Sequence, residues 1–304
     1  MDGQWQNPIY RETVTIVLAF LFIVSLFLFF FRKRNAHWVK AWASIKSWLI
    51  GGPIILFISG MEETWMLGSL TIVALAGAKA FFRLTGMYHR TYFVWACYLG
   101  IISLPFLIYY QMSNFYDVTP MLVLAGICMI PIIRDSAKLM VQYVALTLMC
   151  FSFMGWAFMH LGWLIYLDQG PFLIIYIILL TEICENIHLV VSKQFGKTKL
   201  FAGINSRRTL EGVVVSLVFT LLLAWAMRHL MPIREERFWL ASGVVAVFAG
   251  GLGDLVLSGI RKDLGIKQVG AFIIGRGDFL RRVERLIFVA PIYYYVMQFL
   301  LATT

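Results

Sequence analysis

Apolar runs of membrane-spanning length recur along almost the whole chain, and few folds accommodate that. Taking roughly 20 residues as the length of a helix that crosses a bilayer, about ten such segments can be read. They are 12–31, 47–60, 64–82, 91–110, 118–133, 139–165, 171–191, 212–227, 238–260 and 286–302. A soluble fold has too little interior for 304 residues that are 61% hydrophobic and 14% charged, since soluble domains carry about a quarter charged residues. In lipid every backbone N–H and C=O must be satisfied within the protein. Continuous apolar runs of this length satisfy them as helices, so the fold class is all-α: a polytopic transmembrane bundle of about 9–10 helices. The second and fifth segments are short and contain Gly or Pro, as re-entrant or tilted helices do. The sixth is long enough to be tilted or kinked.

Charge sets the expected orientation. The first run ends in Arg32-Lys33-Arg34 rather than a small-residue cleavage site, unlike a signal peptide. Placing the N-terminus outside puts loops 32–46, 83–90, 134–138, 192–211 and 261–285 in the cytoplasm, and these hold 21 of the 26 Lys and Arg. The positive-inside rule favours this N-out, C-out arrangement. The net charge of +10 is then explained by topology and anionic headgroups rather than by nucleic acid. Cys97, Cys128, Cys150 and Cys184 lie singly in separate segments, as small core residues; neither zinc nor a disulfide framework is implied. The lone histidines His160 and His188 read as packed core. Residues 1–170 form N-terminal transmembrane helices with little polar chemistry, and 171–304 form the functional domain. The expected setting is a multi-pass protein of a bacterial inner membrane with its active face cytoplasmic.

Polar chemistry gathers in two places. Asp254, Ser258 and Arg261 recur at i, i+4 and i+7, which is one face of a helix. A carboxylate at membrane depth marks a functional site by default. Beyond it come Lys262, Lys267, Arg276, Arg281, Arg282 and Arg285, punctuated by Gly259, Gly265, Gly270, Gly275 and Gly277. A glycine-rich basic loop brings backbone N–H groups and cations close to phosphate. Upstream, Glu182, Glu185 and Asn186 put two carboxylates and an amide on one helical face. The following loop carries Lys193, Lys197, Lys199, Arg207 and Arg208 and reaches Thr209 and Glu211. A solvated positive-inside loop ending in a helix cap accounts for these basic residues equally well. Mg²⁺ takes oxygen ligands, usually one or two carboxylates shared with substrate phosphates, and Asp254 with a carboxylate of the seventh segment could supply them.

These residues resemble the signature of the phosphatidate cytidylyltransferases (CDP-diacylglycerol synthases). The match runs without a gap through Gly253-Asp254-Leu255, Ser258, Arg261-Lys262, Gly265, Lys267, Gly270, Gly275, Gly277, Arg282 and Glu284. Upstream, FGKTKL (Phe195–Leu200) and NSRRTLEG (Asn205–Gly212) resemble two further family stretches, and Glu185 falls where the family has Asp. The resemblance covers roughly the last 125 residues. It implies a transfer in which phosphatidic acid or a related anionic lipid reacts with CTP, with Mg²⁺ required, in the bilayer and with a homodimer compatible. Asp254, Ser258, Lys267 and Arg282 would be catalytic. Lys197, Arg208, Thr209, Glu211, Arg261, Lys262, Arg276 and Arg281 would bind substrate phosphates, and Asp254, Glu185 and Asp278 would bind metal. The chain departs from the pattern at Arg281, where the family has a metal-binding Asp, and also at Ile274, Arg276, Asp278 and Gln268.

Three functions follow. The first is a CDP-diacylglycerol synthase-like nucleotidyltransferase. The second is an inactive relative that binds phospholipid or nucleotide, with Arg281 in place of a metal. The third is an ion-coupled transporter using Glu182, Glu185 and Asp254. A transporter needs a path to both faces, whereas these basic residues gather on one.

Overall fold

The computed structural model describes residues 4–31, 36–265 and 278–303; for most of 36–50 and for 278–282 the description is of the backbone only. Ten helical rods are present among them: α1 (Pro8–Phe31), α2 (Ala36–Ser59), α3 (Glu63–Leu84), α4 (Thr91–Tyr109), α5 (Ser113–Ile133), α6 (Met140–Leu164), α7 (Gly170–Gln194), α8 (Leu210–Ala226), α9 (Glu236–Asp263) and α10 (Asp278–Ala302). Eight of the described helices are long and apolar enough to cross a membrane, so the chain is a polytopic helical membrane protein. The 17-residue α8 rises about 25 Å, a little less than the ~30 Å hydrocarbon layer.

The segment expectations need local revision. The second segment is no short re-entrant piece, because α2 starts at Ala36 and runs 24 residues. The fifth is a full 21-residue helix that contains Pro120 and Pro131; membrane helices tolerate proline where neighbours re-satisfy the freed backbone groups. The long sixth segment stays one rod but loosens into a π-helical stretch over Phe151–Ala157. The basic region 192–211 is not an open loop. It folds into an antiparallel hairpin of β1 (Lys199–Phe201) and β2 (Asn205–Thr209), closed where Ile204 N–H donates to the Phe201 carbonyl at 2.9 Å.

Burial identifies the interior rods. Buried residues make up 61% of the apolar window in α6 and in α7 and 56% in α9, against 11% in α1. The phenylalanines of α1 (Phe20, Phe22, Phe27, Phe30) point outward, as lipid demands. Tyr116, Trp156, His160, Trp163 and Tyr294 pack as an aromatic cluster joining α5, α6 and α10. Within it His160 is fully buried, Nδ1 lying 2.9 Å from the Trp156 carbonyl, the packed core role expected of it.

Around the polar stretches, α7, α8 and α9 pack on one another, α10 packs on α9 and α7, and β2 rests on α7, α8 and α9. The glycines of GGLGD make this possible, because each meets a different neighbour. A Cβ on Gly250 would lie 3.2 Å from Thr181 Cγ2 of α7, and one on Gly251 would lie 3.0 Å from Arg208 Nη1. One on Gly253 would lie 2.3 Å from the Glu284 carbonyl, so the α10 backbone approaches α9 only because residue 253 has no side chain. On the other flank a Cβ at Gly212 would lie 2.1 Å from Ser192 Oγ, which brings α8 equally close to α7.

Candidate functional site: a carboxylate–guanidinium cluster under the hairpin

The close approach at Gly253 sets the register of Asp254, one residue on. Asn205 Nδ2 donates to Asp254 Oδ2 at 2.7 Å and to Ser258 Oγ at 3.4 Å. Arg208 donates through Nε to Asp254 Oδ2 at 3.3 Å and through Nη2 to Glu185 Oε2 at 2.8 Å. Carboxylates from α9 and α7 therefore converge on one guanidinium delivered by β2. Arg208 and Glu185 are each 6% exposed. Charges this buried are tolerated only when paired in good geometry.

The hairpin is fastened at both ends. At its base Thr209 caps α8, Oγ1 accepting from Gly212 N–H at 3.2 Å and donating to Ser192 Oγ of α7 at 2.9 Å. A threonine at this position satisfies one of the orphan N–H groups of the first helical turn. At the turn, Lys262 Nζ of α9 donates to the Gly203 carbonyl. Beneath lies a polar cleft lined by Glu185, His188, Leu189, Asn205, Arg207, Arg208, Asp254, Ser258 and Arg285. Two further ion pairs tie α10 in: Arg285 to Glu182 at 3.1 Å and Arg261 to Glu284 at 2.5 Å. Four carboxylates thus interleave with three guanidiniums.

Of the residues singled out from sequence, the structure brings Glu185, Arg208, Asp254 and Ser258 together. Others brace the site: Thr209 as the cap, Lys262 on the turn, Arg261 on Glu284, and Glu211 by accepting from Thr198 N–H at 3.0 Å. Lys197 is exposed beyond the hairpin's base. Asn186 is exposed and donates to the Glu182 carbonyl of its own helix at 2.8 Å, so the expected amide does not join the two acids. Lys267 and Arg276 lie outside the described residues. Asp278, Arg281 and Arg282 fall in the first turns of α10, where the side chains lie outside the described part.

Sequence reasoning missed Asn205 and the pairing of Glu182 with Arg285. It read His188 as packed core, and His188 is buried at 1% exposure, but it also lines the cleft with Nε2 3.3 Å from Ser192 Oγ. Asn205 lay inside the quoted NSRRTLEG stretch but looked like one polar residue among many, because the hairpin that turns it inward was not foreseen.

The donor set suits a hard cation. Asp254 and Glu185 each give one oxygen to Arg208, leaving Oδ1 and Oε1 outside those bonds. Ser258 adds a neutral oxygen, whereas Asn205 presents its Nδ2 to the site and its Oδ1 accepts from Arg207 N–H at 3.1 Å. Among the described residues no three or more His, Cys, Asp or Glu cluster as metal ligands. A cation here would draw on two carboxylates plus water and substrate, which is the habit of Mg²⁺ rather than of a caged metal.

Comparison with known proteins gives this geometry a context. The model of the "Cytidylyltransferase family" matches residues 42–300, starting far upstream of the motifs quoted above. The uncharacterized protein YnbB of Escherichia coli (strain K12) is 27% identical over 157 residues, covering 48% of this chain and 53% of the relative; the chain thus spans about half that relative's length. Phosphatidate cytidylyltransferase of Staphylococcus aureus (strain COL) is 25% identical over 226 residues, covering 66% of this chain and 86% of the relative. Its counterpart in Staphylococcus haemolyticus (strain JCSC1435) is 27% identical over 166 residues, covering 51% and 64%. Because the match extends through α3–α10 and takes in the hairpin, both acid-bearing helices and the glycines that seat them, the chain belongs to the cytidylyltransferase family.

Proposed function

We propose that the chain is a CDP-diacylglycerol synthase-like nucleotidyltransferase, joining CTP and phosphatidic acid into CDP-diacylglycerol and pyrophosphate. The observation that carries this reading is the convergence of Asp254 and Glu185 on Arg208 beneath a basic hairpin. In the transfer a phosphate oxygen of the lipid forms a bond to the α-phosphorus of CTP while the bond from that phosphorus to the bridging oxygen of the β-phosphate breaks. Pyrophosphate leaves with that electron pair. Catalysis of such a step is mostly positioning and charge stabilisation.

Asp254 and Glu185 would hold Mg²⁺, which when bound neutralises phosphate oxygens. Asn205 fixes Asp254 by bonding its Oδ2, so the carboxylate keeps one orientation. Arg208, already between the two acids, supplies a fixed positive charge to an incoming phosphate, and Ser258 offers a hydroxyl beside it. In the cell the basic loops would face the cytoplasm of a bacterial inner membrane, where CTP is found.

One observation favours a second reading, binding without turnover. Arg208 occupies both acids, and Arg281 stands where the family signature has a metal-binding Asp. The test is incorporation of radiolabelled CTP into lipid by purified protein in vesicles containing phosphatidic acid and Mg²⁺. Organic-extractable label accompanied by stoichiometric pyrophosphate supports the transferase. Saturable CTP or lipid binding with no such product supports the second reading.

A further inference from the structure

The hairpin has a surface that the cleft does not use. Leu200, Phe201 and Ile204, at its tip, are 39%, 46% and 45% exposed. Lys197 and Lys199, at its other end, are exposed as well. Exposed apolar side chains on a polar hairpin are costly in water, at about 25 cal/mol per Å² of apolar surface. Position resolves the cost. Ile204 Cγ2 lies 3.7 Å from where a Gly259 Cβ would be, and Lys262 Nζ holds the Gly203 carbonyl. The tip therefore sits level with the last turns of α9, where the apolar span gives way to Arg261 and Lys262. That is the height of the boundary between acyl chains and headgroups. From there the hairpin reaches across to the end of α7, where Thr209 bonds Ser192, and its buried residues Asn205 and Arg208 touch the acids below.

We propose that the β1–β2 hairpin is a membrane-docking element for an anionic lipid surface. The Leu200–Phe201–Ile204 tip rests among the upper acyl carbons, and Lys197 and Lys199 lie against phosphate headgroups. An amphipathic element with apolar side chains on one part and lysines on another binds interfaces in this way, and each cation near an anionic leaflet favours the surface by about fivefold. Because the same short hairpin carries Asn205 and Arg208, its contact with lipid sets the position of the two groups that bridge Asp254 and Glu185. This proposal rests on the membrane setting and on the hairpin's placement; it holds whether or not the cleft turns over CTP.

The test uses the full chain in nanodiscs, with the four native cysteines replaced and a fluorophore on Ala202→Cys at the exposed turn. Lipids brominated at shallow acyl positions should quench it, iodide in the buffer should quench it weakly, and the lipid quenching should rise when neutral lipid is replaced by a mixture rich in phosphatidylglycerol. Lys197→Glu with Lys199→Glu should cancel that rise at least about fivefold. Strong iodide quenching with no effect of brominated lipid would mean a hairpin standing in water and overturns the proposal. Quenching by lipid that ignores lipid charge overturns the headgroup contact. The comparison of lipid mixtures on the unaltered lysines decides the matter even where the double Glu variant fails to fold.

Discussion

At Arg208 the cost of losing a side chain can be reasoned directly. Arg208→Ala removes the guanidinium that bridges buried Glu185 and partly buried Asp254, and breaking a buried pair from one side costs about 3–5 kcal/mol. A marked fall in the thermal midpoint in detergent is expected, with partial recovery in Arg208→Lys, which restores the charge but not the two-pronged geometry. Asp254→Asn should behave differently, because the amide can still meet Asn205 and Arg208 while the negative charge that the proposed transfer needs is gone. Its expected signature is near-normal stability with turnover down at least about a hundredfold. Much of this scale was legible. Helical spacing alone put Glu182 with Glu185 and Asp254 with Ser258, and the cost of acids at membrane depth marked them as functional. What spacing could not give was the partner of each acid. Glu182 meets Arg285 and Glu185 meets Arg208, and such pairings depend on which helix lies beside which, information carried by packing rather than by local pattern.

At the scale of elements, the glycines of α9 make a graded prediction. Gly253→Ala puts a methyl group 2.3 Å from a backbone carbonyl of α10, and the carbonyl cannot rotate away as a side chain would. The expected loss is about 1–3 kcal/mol of stability, measured by thermal unfolding, together with turnover, since Asp254 moves with its neighbour. Gly126→Ala on α5 meets nothing within 4 Å and should be neutral within about 0.5 kcal/mol. Equal effects of the two would contradict the close α9–α10 crossing. Helix existence was readable from apolar length for almost every rod, and boundaries less so. Helix α10 begins at Asp278 inside a stretch that looked like a basic loop, because charged residues say little about where a helix emerges from lipid. The β1–β2 hairpin was hidden for a related reason: three- and five-residue strands are too short to show a period of two.

For the whole molecule, if all ten described rods cross the bilayer, both termini lie on one side and the hairpin on the other. A membrane-impermeant maleimide should label Lys197→Cys only in inside-out vesicles and Thr303→Cys only in intact cells; the reverse would contradict the orientation set by the basic loops. Sidedness stays an expectation from loop charge that this labelling tests, while the membrane-spanning bundle itself was legible from apolar length. The packing that wraps α6, α7 and α9 in the remaining helices was not, because segments this uniformly apolar carry little amphipathic signal to say which face turns inward. The account as a whole stands on the meeting of α7, α9 and β2 at Asp254. Its most direct test is Mg²⁺-dependent formation of CDP-diacylglycerol by wild type and by Asp254→Asn, in parallel, in the same phosphatidic acid vesicles. Robust product from wild type and almost none from an equally stable variant is the predicted result. Equal product from both would contradict it.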